Sequence, residues 1–403
     1  MGHEYDAIVV GARCAGAPTA MLLARKGHRV LLVDRATFPS DTVSTLVVQP
    51  LGVAALARWG LLDRLVATAC PPIHTYAYDF GPFTIEGSPG TPDSPVACAP
   101  RRTVLDKILV DGARQAGAEV REGFAVDRIV QEDGRVVGIE GHATAGERVA
   151  ARARVVAGAD GRGSFVAASV HPETYREAAP ILAPYYSYWS GLPMEGRFET
   201  YIRPNRGFAA IPTHDGLTLV VVGWPMSEFE ANKNDVEGNY LKTIGTAPAF
   251  AERLSGAKRE TRFAGLPVPN FVRKPFGPGW VLVGDAGYDK DPITAQGIVD
   301  AFLDAERVAG ALDRVFRGAA SFKDAMAATQ VARDAALPMY EYTCGLATLQ
   351  PPPPDMQAIF GAVAGHRPSM DRFAQMNAGT ISPSEFFSPE SVAAILGGAA
   401  GRA

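Results

Sequence analysis

Residues 5–35 read YDAIVVGARCAGAPTAMLLARKGHRVLLVDR. An apolar run at 7–10 meets a turn of small residues at 11–16. A stretch with helical spacing follows at 17–26, and a second apolar run at 30–33 ends in Asp34. That order predicts strand, tight turn, helix and parallel strand, with a carboxylate at the tip of the second strand. Such a unit holds the adenosine diphosphate half of a dinucleotide. Gly11 permits the turn, and Gly16 lets the helix pack close to the strand. The helix N-terminus offers free N–H groups and a positive dipole end to a pyrophosphate. Asp34 is placed to accept hydrogen bonds from the adenosine ribose, and it repels a 2′-phosphate. Arg13 stands where the pattern G-x-G-x-x-G has its middle glycine. Its side chain must either lift the phosphates or turn away from them. Cys14, Ala15 and Arg35 complete the expected contacts of this segment.

The rest of the composition narrows the class. A net charge of −4 gives no electrostatic footprint for nucleic acid. Cys14, Cys70, Cys98 and Cys344 are far apart and show no C-x-x-C spacing, so neither a zinc site nor a disulfide framework is expected. A reducing cytoplasm is the natural setting. The apolar N-terminus could imitate a signal peptide, but Glu4 and Asp6 precede it and Arg13 interrupts it. No segment is apolar for long enough to span a bilayer, and no membrane partner is expected. At 403 residues the chain is too long for one simple core.

The pattern along the chain predicts an α/β protein. Helices are expected at 50–69, 103–116, 297–316 and 321–349, and strands at 73–85, 119–129, 135–140, 149–157 and 280–283. Between about 175 and 262 aromatic and β-branched residues dominate, with turns at Pro204-Asn205 and Asp215-Gly216. That texture reads as an antiparallel sheet forming a second domain. Prolines 351–354 form a stiff spacer, after which short surface helices are expected.

Two further motifs complete the picture. Residues 158–164 read GADGRGS, and 284–287 read GDAG, followed by Pro292 and Gln296-Gly297. In this order, with Gly11–Gly16 and Asp34, they resemble the single-component flavoprotein monooxygenases, the para-hydroxybenzoate hydroxylase-like group. The resemblance runs from about Asp6 to Arg314. It implies a Rossmann-like FAD-binding domain (1–72, 98–174 and 275–320) interleaved with a substrate domain built on an antiparallel β-sheet (73–97 and 175–274). A helical C-terminal region (321–403) follows. By the same resemblance, FAD is bound and NAD(P)H visits transiently. Asp285 meets a ribityl hydroxyl, and Pro292 shapes the loop beside the isoalloxazine. Gly297 and Ile298 open a helix aimed at the N1/O2 side of the flavin. Asp160 supports the nucleotides or caps a helix. Arg102, rather than Arg101, approaches the ribityl-phosphate region, Val126 offers backbone groups to adenine, and Ser44 reaches the flavin edge or turns a loop. Tyr288 and Val299 depart from the His and Asn that the family often carries.

The implied reaction uses NAD(P)H and O2 to hydroxylate or epoxidise a small aromatic or polyene-like metabolite through a C4a-hydroperoxyflavin. Substrate is expected between flavin and sheet, with Tyr76, Tyr186, Tyr201 and Arg203 as lining candidates. His74, Tyr201 and His214 are candidates for a base that activates a phenol. Two related chemistries compete. A flavin-dependent halogenase needs a relay lysine and a W-x-W-x-I-P segment. No such segment occurs, and residues 36–100 contain no lysine. An isoprenoid double-bond reductase would form product without oxygen. A flavin-binding module without catalysis is the non-enzymatic alternative, and Arg13 is the feature that favours it.

Overall fold

The computed structural model describes residues 4–144, 146–265 and 267–400. The first strand, Tyr5–Val10, lies inside a parallel sheet between Val30–Asp34 and Arg148–Gly158. Glu119–Glu122 extends the sheet beyond Val30–Asp34, and Trp280–Leu282 extends it beyond Arg148–Gly158. The central strands are almost wholly buried, as expected of a parallel sheet covered on both faces. Helices Gly16–Arg25, Arg102–Gln115 and Gly297–Phe316 cover one face through Met21, Leu105, Leu109, Phe302 and Leu312. The antiparallel pair Phe124–Glu132 and Arg135–Ala143 covers the other, burying Ile8, Leu31, Ile129, Val136 and Ile139.

A second sheet runs in the order Lys258–Arg259, Leu182–Ser190, Thr218–Pro225, Arg206–Pro212, Arg197–Arg203, Thr75–Asp79, Thr84–Gly87. It is antiparallel except that Arg197–Arg203 pairs in parallel with Thr75–Asp79. Alternation along the strands divides its side chains between two environments. Trp189, Phe208, Val220 and Trp224 face outward and are buried with Tyr240 and Phe250 of helices Val236–Ile244 and Pro248–Ser255. Tyr76, Tyr188, Phe198, Ile211 and Leu219 face inward. There they share a core with Phe360, Val363, Phe373 and Phe386 from the C-terminal helices.

Several elements differ from the sequence expectation. Residues 50–69 form two helices, Pro50–Arg58 and Leu62–Val66, because Gly60 between them has φ +65°. Residues 321–349 likewise form Phe322–Asp334 and Leu337–Ala347, the second beginning with Pro338 in its first turn. The strand 73–85 folds back as a hairpin through a turn that includes Gly81, φ +95°. The stretch 175–262 carries helices as well as strands. The helices after the proline spacer are short, as expected, yet they are part of the core: Phe386 and Met376 are wholly buried. Each helix end supplies too little apolar surface to fold alone, and the sheet supplies the rest.

Candidate functional site

The turn after the first strand explains its two outer glycines. Gly11 has φ +97°, and a Cβ there would lie 2.4 Å from the Ala159 carbonyl oxygen. A Cβ on Gly16 would lie 1.7 Å from the Gly11 carbonyl oxygen. Only glycine fits either place. The Ala12 and Ala36 amides donate to the two oxygens of Asp34 at 2.7 and 2.8 Å. The carboxylate is thus held across the mouth of the turn, half-exposed, with lone pairs left for a ribose.

The same close approaches bring the three motifs together. Gly11 abuts Ala159 and Asp160 of the second motif, and the Ala159 amide donates to the Val10 carbonyl at 2.8 Å. Gly284 of the third motif has φ +62°, and a Cβ there would sit 3.0 Å from the Ala15 Cβ. Its amide donates to Asp304 of the Gly297–Phe316 helix at 2.9 Å. Stretches more than 260 residues apart in sequence therefore line one trough. A backbone that leaves no room for a Cβ at these points and aims a helix N-terminus into the trough fits a dinucleotide such as FAD.

Sequence reasoning missed the residue that ties this trough together. Asp106 is wholly buried and accepts Arg13 Nη1 at 2.5 Å and the Nε and Nη2 of Arg102 at 3.1 Å each. Cys14 Sγ lies 3.5 Å from it, and burial pushes that thiol far above its ordinary range. Arg13 also donates to Ser40 Oγ at 2.9 Å and packs over the Phe38 ring. Its guanidinium is thus engaged by the 38–41 loop and the Arg102–Gln115 helix. Asp285 is raised by burial, opposed by Arg162 and Arg102, the cations nearest in effect. Asp160 accepts the Ser164 hydroxyl at 2.6 Å and the Val166 amide at 3.1 Å, while Ser164 itself caps the helix by accepting the Ala167 amide at 2.9 Å. Ser44 Oγ accepts the Leu46 amide at 3.1 Å. Arg35 is exposed beside Asp34, and Val126 is half-buried on the strand pair that covers the sheet.

The Pro292 loop joins the trough to the second sheet. The Gln49 amide nitrogen donates to the carbonyls of Thr294 and Ala295 at 3.1 and 3.4 Å, and Tyr76 donates to Gln49 Oε1 at 2.6 Å. Asp291 caps the turn by accepting the Ile293 amide at 3.0 Å. Burial raises Asp291 to about 7 and Asp289 to about 8. Lys290 is buried in an ion pair with Asp300. Gln296 donates to the Asn377 carbonyl at 3.1 Å, and Thr343 meets Thr294 at 3.1 Å, so the C-terminal helices brace the loop. Gly297 and the buried Ile298 then open the long helix.

The substrate and base candidates are not all brought to this place. Tyr76 and Tyr186 lie on the inner face of the sheet. Tyr201 faces outward, stacked on Phe208 at 4.3 Å and donating to Glu199. Arg203 binds the Asp79 carbonyl at 2.9 Å and the Thr246 carbonyl at 3.2 Å on that same side. The register of alternation sends 199, 201 and 203 outward together, which the sequence alone did not fix. His74 is exposed at the strand end. His214 receives the Arg101 amide at Nδ1 (3.1 Å) and meets Thr68 Oγ1 through Nε2 at 2.8 Å. With both ring nitrogens engaged and its pKa lowered by burial, His214 is a neutral structural link.

Comparison with known proteins gives the trough its context. A family model described as an FAD binding domain matches residues 4–337. Digeranylgeranylglycerophospholipid reductase of Methanocella arvoryzae is 30% identical over 322 residues, 77% of each chain. Protein FixC of Salmonella typhimurium is 33% identical over 312 residues, 70% of each. Among solved structures, the myxobacterial chondrochloren halogenase CndH superposes with a TM-score of 0.80 at 22% identity, covering 95% of this chain and 98% of that one. PqsL of P. aeruginosa in complex with 2-aminobenzoylacetate superposes with a TM-score of 0.71 at 21% identity, covering 94% and 100%. At these identities the structures establish a shared fold. No helix among the described residues is long and apolar enough to cross a membrane.

Proposed function

The chain belongs to the FAD-binding domain family of para-hydroxybenzoate hydroxylase-like flavoproteins, and from that premise we propose that it is an NAD(P)H-dependent monooxygenase acting on a small conjugated molecule. FAD, when bound, supplies the redox chemistry and the activation of oxygen. The protein's part is to hold, orient and exclude. Gly11, Gly16, Asp34 and the Asp106-centred pair of arginines hold the nucleotide end. Asp285 and the start of the Gly297–Phe316 helix meet the flavin end, where N–H groups and the helix dipole stabilise negative charge. The observation that carries the reading is the Tyr76–Gln49–Thr294 link. It ties the flavin loop to a sheet face lined with aromatic side chains. Phe360, Phe373 and Phe386 close that face to water. NAD(P)H docks transiently; the chain has a single Gly-rich dinucleotide turn to offer a resident nucleotide.

A second reading, reduction of an isoprenoid double bond, is favoured by the reductases at 27–30% identity. Halogenation has less support, since residues 36–100 contain no lysine and no W-x-W-x-I-P segment occurs. One experiment separates them. Purified protein with FAD and NAD(P)H is screened with aromatic and polyene acids under labelled oxygen gas. Incorporation of one labelled atom per turnover supports the monooxygenase. Hydrogenated product formed without oxygen refutes it in favour of the reductase, and a halide-dependent mass shift refutes it in favour of the halogenase.

A further inference from the structure

Arg101 and Arg102 are consecutive, yet they serve different places. Arg102 turns into the nucleotide trough and gives its Nε and one terminal nitrogen to Asp106. Arg101 turns to the inner face of the sheet, where its guanidinium lies over the Tyr188 ring, 4.5 Å from the centroid. Its backbone is fixed, since its amide donates to His214. Its side chain is mostly buried, and its Nε is buried without a hydrogen-bond partner. The nearest carboxylate, Asp41, is 3.8 Å away and half-exposed, too far for a hydrogen bond. Tyr186 stands beside Tyr188, with ring centroids 5.9 Å apart, and its hydroxyl meets the Ser44 backbone. The guanidinium also engages the Tyr188 hydroxyl, and the N–H groups it has left match a carboxylate in a two-pronged contact.

We propose that Arg101, with Tyr186 and Tyr188, anchors the carboxylate of a planar, conjugated substrate, and that Asp41 occupies the edge of this subsite until the substrate arrives. Burial raises both tyrosines, so each stays a hydroxyl donor at neutral pH. The aromatic rings supply a flat apolar wall for the conjugated skeleton, and the arginine supplies the single charge that fixes its direction. The inference rests on the reading of a flavin-dependent reaction on a small conjugated molecule, and it names the acid group that molecule carries.

The test is binding to FAD-loaded protein, without NAD(P)H, followed by calorimetry and by the flavin difference spectrum. Benzoate and cinnamate are compared with their amides. Wild-type protein should bind at least one acid more tightly than its amide. R101Q should weaken that acid at least tenfold and leave the amide unchanged, whereas D41N should tighten the acid severalfold. A purely structural role for Arg101 would move acid and amide together. The proposal is overturned if neither acid outbinds its amide in wild type. It is also overturned if R101Q leaves the acid's affinity unchanged, or if D41N does. Should R101Q lose FAD, the D41N result decides alone. Because no turnover is measured, acid binding with no oxygenated product would sink the monooxygenase reading and spare this one.

Discussion

Replacing Asp106 by Asn is the sharpest test of the trough. The carboxylate is wholly buried and compensates two arginines at once, one of them, Arg102, itself buried. Asn keeps one acceptor oxygen and the volume, but the negative charge is lost. Removing one partner of a buried pair typically costs about 3–5 kcal/mol, since the remaining charge is left uncompensated. The retained acceptor places D106N near the lower end, about 3 kcal/mol. For a chain of this size that lowers the melting temperature by roughly 3–4 °C. The effect should depend on the nucleotide, because a bound pyrophosphate brings negative charge close to the same arginines. Thermal unfolding with and without FAD should therefore show less than half the loss in the loaded protein. Equal losses in both forms, or a loss under about 1 kcal/mol, would mean that Asp106 does not organise the nucleotide site.

Three further outcomes are expected. G11A places a side chain at φ +97° and within 2.4 Å of the Ala159 carbonyl, so purified protein should lose its flavin absorbance; a full complement of FAD would contradict the geometry. Asp291 is raised from 3.8 to about 7 by burial, so it stays protonated in the fold while the unfolded chain ionises. Stability should then fall as pH rises from about 4 to about 7, by at most about 4 kcal/mol, and D291N should flatten that slope in denaturant titrations. Y76F removes a buried 2.6 Å bond to Gln49 and leaves an acceptor unpaired, costing about 1–2 kcal/mol. It should raise substrate KM with little change in FAD content, and an unchanged KM would detach Tyr76 from the site.

Much of this was legible because it is local. Glycines at 11 and 16, the acid at 34 and the apolar runs between them dictate the first unit residue by residue. The long helix Gly297–Phe316 was legible for the same reason, its apolar period being unbroken. The breaks at Gly60 and before Pro338 were harder, since a single glycine or proline within a periodic run signals a break only weakly. The candidate base residues illustrate the limit. His214, Tyr201 and His74 are chemically suited to proton transfer, but suitability says nothing about direction.

The sequence by itself determined that a dinucleotide trough exists, which backbone turns need glycine, and the order in which three motifs arrive. Those follow from steric rules that act within a few residues. Only the tertiary structure decided which face of the second sheet meets the Pro292 loop, because shifting a strand by one residue exchanges every side chain between the faces. It also decided that Asp106 would serve two arginines, that neighbouring Arg101 and Arg102 would part company, and that the tail would close the sheet. These are contacts between residues far apart along the chain, and their partners are chosen by packing.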